Sequence, residues 1–109
     1  MNPGEIYKTY LEAGADWADK HGAAELLEGT LKTLLAQLTL EAQNSEGCSN
    51  VAAKDHALAS NSYRDAMKAS IDARTQANRA KVRYTAIQAL FEARRTAEAT
   101  ERAAMRSAT

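Results

Sequence analysis

The chain has a single proline, Pro3, so beyond its first residues no ring interrupts a helix. One tryptophan and one phenylalanine are too few aromatics for an ordinary compact globule. Cys48 is the one cysteine, which excludes a disulfide within a single chain and favours a reducing compartment. No run approaches the ~20 apolar residues a membrane span needs. The first residues have neither the basic start nor the apolar stretch of a secretory signal. The formal net charge is zero, so no global field draws in polyanions or anionic membranes. These absences lead us to expect a cytoplasmic protein with no membrane contact. A length of 109 residues fits one helical domain with a small core.

What is abundant is alanine, with 24 residues. Ala-rich sequence with Glu, Lys, Leu and Arg at helical spacing points to long helices or a coiled coil. Asn2-Pro3-Gly4-Glu5 reads as a helix start, with Asn2 as cap, Pro3 in the first turn and Glu5 three residues after the cap. An apolar line follows through Tyr10, Trp17, Ala24, Leu27, Leu31, Leu34 and Leu38, at spacings near three and four. Gly14, Gly22 and Gly29 interrupt this helix, each costing about 1 kcal/mol against Ala. The strongest turn signal is Asn44-Ser45-Glu46-Gly47-Cys48-Ser49-Asn50. Gly47 can end one helix there, and Ser49 or Asn50 can cap the next.

The expected fold is therefore all-α: a long antiparallel, coiled-coil-like helical hairpin. Its helices cover about residues 5–44 and about 50–106, around a turn at 45–49. Ser60-Asn61-Ser62 is a weak point where the second arm can kink, and Ser62 with Asp65 has the pattern of a capping box. A full break there would instead give a three-helix bundle. The seam is expected to bury Trp17, Leu27, Leu31, Leu34, Leu38, Tyr84 and Ile87. The arms are unequal, and Tyr63, Met67 and Ile71 drift off the seam. With Phe91 they form the expected interface of a homo-oligomer.

Charge is divided along the chain. Residues 1–50 hold three Lys against eight acids, and residues 64–109 hold ten Lys or Arg against five. "QANRAKVRYTAIQALFEARR", residues 76–95, concentrates the basic character around the seam of Ala77, Ala80, Tyr84, Ile87 and Phe91. Two readings stand. In one the hairpin pairs its own charges, setting Glu12 against Arg83, Asp16 against Arg79 and Asp19 near Arg74. In the other, Arg74, Arg79, Lys81 and Arg83 contact nucleic-acid phosphates and Tyr84 offers a stacking face.

No catalytic constellation emerges. His21 and Glu25 make half of a metal pair without further ligands, and His56 beside Asp55 is no stronger. Cys48 has no His or Asp at motif spacing. Asp16 and Asp19 share a helix face with no pocket, and no Gly-rich phosphate loop, HExxH or GxSxG occurs. Tyr7, Tyr10 and Trp17 read as core or interface. The expectation is a non-enzymatic protein without cofactor or metal.

From Tyr63 onward, "YRDAMKASIDARTQANRAKVRYTAIQALFEARRTAEATERAAMR" resembles the C-terminal helical half of the UvsY-type recombination mediators of T-even-like phages. The resemblance lies in Tyr63, Met67-Lys68, a polar and basic stretch, Tyr84, Phe91 and Met105-Arg106. "YLEAGADWADKHGAAELLEGTLKTLLAQL" is similar to that family's first long helix. The chain also resembles small helical-hairpin proteins of phages. The family resemblance implies an oligomer that binds single-stranded DNA and helps load a recombinase onto DNA covered by single-strand binding protein. It also implies Arg74, Arg79, Lys81 and Arg83 as the basic stretch, though only loosely matched. The alternative is an interaction module without nucleic-acid binding, such as an adaptor, inhibitor or phage assembly component.

Overall fold

The computed structural model describes residues 2–47 and 49–108. Cys48, and with it any role for its thiol, lies outside the described residues. Three α-helices account for nearly everything: α1 (Pro3–Glu46), α2 (Asn50–Ala59) and α3 (Asn61–Ala108). Among the described residues only Asn2, Gly47, Ser49 and Ser60 are outside a helix, and there is no strand.

Each boundary has a local cause. Asn2 and Glu5 cap α1 reciprocally: the Glu5 amide donates to Asn2 Oδ1 at 2.9 Å, and the Asn2 amide donates to Glu5 Oε2 at 3.2 Å. At the far end Gly47 takes φ +62° and its amide bonds the Gln43 carbonyl at 3.0 Å. This is the left-handed conformation that glycine adopts without a Cβ penalty. Ser49 caps α2 by accepting from the Ala52 amide at 3.3 Å.

The weak point in the second arm is a true break, centred on Ser60 rather than on the Ser62–Asp65 box. Ser60 is extended (φ −68°, ψ 148°). Its hydroxyl donates to the Ala57 carbonyl at 2.7 Å and accepts from the Tyr63 amide at 3.2 Å. One side chain thus closes α2 and opens α3. Ser62 is already the second residue of α3, and Ser60 makes those bonds instead.

The chain folds as two compact units. One joins Met1–Asp19 to Asn78–Thr109, and the other is Lys20–Ala77. In the first, Trp17 meets Tyr84 and Tyr10 meets Phe91, so α1 and α3 run antiparallel. In the second, Glu28 meets Arg74 on α3 and Glu46 meets His56 on α2, again antiparallel to α1. The all-α, antiparallel helical pairing expected from the sequence is what forms.

The core is made of different residues from those expected. Buried apolar residues are Ile6, Ala13, Ala24, Ala53, Ala57, Tyr63, Ala77 and Ala80, joined by Ser70. Trp17, Leu27, Leu31, Leu34, Leu38, Tyr84 and Ile87 face inward but are only half-buried. The reason is geometric. Where two helices pack, the small side chains on the line of contact are enclosed most completely, and most larger ones, Ile6 and Tyr63 excepted, flank the line and keep an edge in water. Close packing around those alanines leads to a matched pair of expectations. Ala24→Leu, at a fully enclosed position, should lower unfolding free energy by about 1–3 kcal/mol. Ala23→Leu, at its exposed neighbour, should stay within about 0.5 kcal/mol of wild type in the same urea titration.

Candidate nucleic-acid interface

In the first unit α3 packs through a row of aromatic rings. Tyr84 stacks on Tyr10 with ring centroids 5.3 Å apart and tilts against Trp17 at 5.2 Å. Phe91 lies 5.2 Å from Tyr10 and 6.0 Å from Tyr7. Gly14 makes this possible: a Cβ there would sit 3.1 Å from Tyr84 Cε2, so the ring rests on bare backbone. The Tyr84 hydroxyl is 3.1 Å from that of Tyr10, to which Gln88 also donates at 3.3 Å. The shared hydrogen bond with Tyr10, and then desolvation, hold the Tyr84 phenol above its usual pKa, so it stays protonated.

Tyr84 therefore takes part in the intramolecular core, with its ring half-buried against Tyr10 and Trp17. Phe91 is likewise half-buried, against Tyr7 and Tyr10. Tyr63, the third of those aromatics, is buried in the second unit. Of the four residues expected at an oligomer interface, Met67 and Ile71 are exposed, one helical turn apart on α3.

The basic residues divide into two groups. Arg74 is in the second unit and forms a bidentate ion pair with Glu28, with Nε donating to Oε2 at 3.3 Å and Nη2 to Oε1. Its Nη1 lies 3.0 Å from His21 Nδ1. A guanidinium only donates, so Nδ1 accepts, and the imidazole proton sits on Nε2, 3.0 Å from Glu25 Oε1. The hydrogen bond from Arg74 holds the Glu28 carboxyl below its ordinary range. Arg74 thus answers an acid of its own chain, as the charge-pairing reading expected, though the acid is Glu28 and not Asp19.

Arg79, Lys81 and Arg83 are all exposed on α3 in the first unit. Lys81 Nζ stands 5.8 Å from the Trp17 ring centroid, a cation–π contact that leaves its ammonium in solvent. Arg79 and Arg83 take part in no ion pair or hydrogen bond among the described residues. Each helix residue turns ~100°, so Arg83 points well away from the inward-facing Tyr84, and Arg79 lies one turn back on the same side. Glu12, the expected partner of Arg83, pairs with Lys8 at 3.9 Å on its own helix. The expected pairings fail because folding about the Asn44–Asn50 turn assumes the wrong register. Seating Tyr84 on Gly14, between Tyr10 and Trp17, sets it instead.

Other polar groups converge on no reaction centre. His56 Nε2 lies 3.3 Å from Glu46 Oε2, and among the described residues no three His, Cys, Asp or Glu side chains gather to hold a metal. No helix is long and apolar enough to cross a membrane, among the described residues. Compared with family models, curated proteins and solved structures, the chain matches none.

The Glu28–Arg74 pair carries a pH signature. A carboxyl whose folded pKa is lowered adds stability above its unfolded pKa and loses it as pH falls through the folded value. Glu28→Gln should therefore lower the melting temperature at pH 7. The gap to wild type should close as pH falls below the carboxylate range. A gap that persisted unchanged to pH 2.5 would show that the pair acts through packing, not charge.

Proposed function

We propose that the chain is a non-enzymatic accessory protein that binds single-stranded DNA as an oligomer, in the manner of a phage recombination mediator. The observation that carries this reading is the state of Arg79 and Arg83. Both are exposed, one turn apart, and without an intramolecular acid. A hairpin that used its basic arm only to hold itself together would pair these guanidiniums, as it pairs Arg74. An exposed arginine left in water instead offers a planar donor fork to phosphate. Lys81 adds a third cation on the neighbouring part of the same helix.

Binding of this kind is independent of sequence, because phosphate contacts carry no base information. With Tyr84 and Phe91 held in the core, stacking adds little, and the backbone charge dominates. Loading a recombinase onto DNA covered by single-strand binding protein is the role that the UvsY-type resemblance adds. Arg74 is left out of the contact set because Glu28 holds it.

Fluorescence anisotropy with labelled oligo-dT at low salt tests the proposal. Wild-type protein should bind, and log K should fall with log[salt] at a slope of about −2 per bound chain, from three phosphates at ~0.7 each. The double change Arg79→Glu and Arg83→Glu should abolish binding while helicity and mass stay unchanged. A folded wild-type protein that leaves oligo-dT free at low salt would overturn the reading in favour of an interaction module.

A further inference from the structure

In the second unit, the side of α1 turned away from α3 carries a second apolar line: Gly22, Leu26, Gly29, Thr33, Ala36 and Leu40. The spacings are again threes and fours, and no charge interrupts them. Leu26 is 70% exposed and Leu40 57%, large values for leucines in the middle of a long helix. Gly22 and Gly29 have open space around them, with nothing within 4 Å of an added Cβ. Unlike Gly14, they serve no contact inside the chain, although each weakens the helix relative to alanine.

We propose that a second copy of the chain packs antiparallel on this face, α1 against α1, about a two-fold axis between Leu26 and Gly29. That register sets each Leu26 over the partner's Gly29 and each Gly22 beside the partner's Thr33, so large side chains meet small ones along the contact. A parallel pairing would set Leu26 on Leu26 and glycine on glycine, alternating clashes with voids. Charge selects the same arrangement. Glu25 and Lys32 border the line on one side, seven residues apart and of opposite sign. An antiparallel two-fold axis brings like borders together, so Glu25 of each copy lies beside Lys32 of the other, twice over. A parallel pairing would instead set each Glu25 and Lys32 beside the partner's opposite border, around Ala23 and Thr30, where no opposite charge meets them. The opposite border within this unit carries the uncharged Ala23, Thr30 and Gln37, with Glu41 at its end beside Leu40.

This interface deepens the oligomer contained in the proposed function, and it differs from the α3 surface of Met67 and Ile71. Its test reads mass without DNA, so it stands or falls separately from oligo-dT binding. Sedimentation velocity at tens of micromolar should give a dimer for wild type. Leu26→Glu should give a monomer of unchanged helicity, because Leu26 is exposed within its own chain. Lys32→Glu should raise the dimer Kd by about tenfold or more, and adding Glu25→Lys should restore it. A monomeric wild type would overturn the inference, as would a dimer that survives Leu26→Glu. A dimer lost only when Met67 and Ile71 are changed would move the interface to α3 and equally refute it.

Discussion

The seating of Tyr84 on the bare backbone of Gly14 is the contact from which the rest of the first unit follows. A Cβ at position 14 would come within 3.1 Å of the Tyr84 ring, so glycine lets the ring sit a few tenths of an ångström closer than any other residue would. Once placed, the ring brackets itself with Tyr10 and Trp17 and draws Phe91 against Tyr10 and Tyr7. That fixes which turn of α3 faces which turn of α1. The register then decides which charges meet. Glu12 is left to Lys8, and Arg79 and Arg83 turn outward without a carboxylate. A steric detail at one glycine thereby determines whether a basic helix is neutralised within the chain or left open.

Packing two helices at a time has a second consequence. A helix pair can enclose one line of side chains, and alanine fits that line best because it lets the backbones approach. The buried set is accordingly alanine-rich, with Tyr63 as its one aromatic residue. Hydrophobic burial of this kind yields little free energy per residue, since a methyl group removes little area from water. Leucines remain at the margins, and some lie on faces no other helix covers. A long two-helix arrangement thus tends toward partners by construction: the surface it cannot cover is apolar and arranged at helical spacing.

Much of the fold was legible in the sequence because its signals are local. The Asn2–Glu5 capping box, the left-handed Gly47 and the Ser49 cap each depend on a few adjacent residues, and each forms as read. The apolar line on α1 was legible as an inward face. Its degree of burial was not, because that depends on the width of the partner helix and on how close alanine lets it come. The break at the second arm was visible as a run of poor helix formers. Which serine would cap it was not, since Ser60 and Ser62 carry the same side chain and differ only in where the helix axis turns. The charge partners were the least legible part. Counting back from the turn gives a register that ignores the aromatic seat, and the resulting slip of roughly two turns replaces Glu28 with Asp19 as the acid facing Arg74. The signal that could have found the seat was present: Gly14 falls between Tyr10 and Trp17, the one glycine of α1 flanked by aromatics on its own inward face.

The open arginines and the open apolar face are linked by what a weak charged site requires. Two guanidiniums and one ammonium neutralise few phosphates, and a single chain holding so few would release DNA readily at physiological salt. Joining two copies through a surface remote in sequence from those cations would leave Arg79, Lys81 and Arg83 exposed and would double the number that one strand can meet. The second contact would then form at a high effective concentration, and such a dimer would retain a strand longer than either site alone. An interface built from Arg79, Arg83 or their neighbours would give mass but remove the charge. The uncharged face of α1 is therefore the surface on which self-association and polyanion binding are compatible. Gly22 and Gly29, which meet nothing within their own chain, would on that proposal admit the close approach of a second backbone.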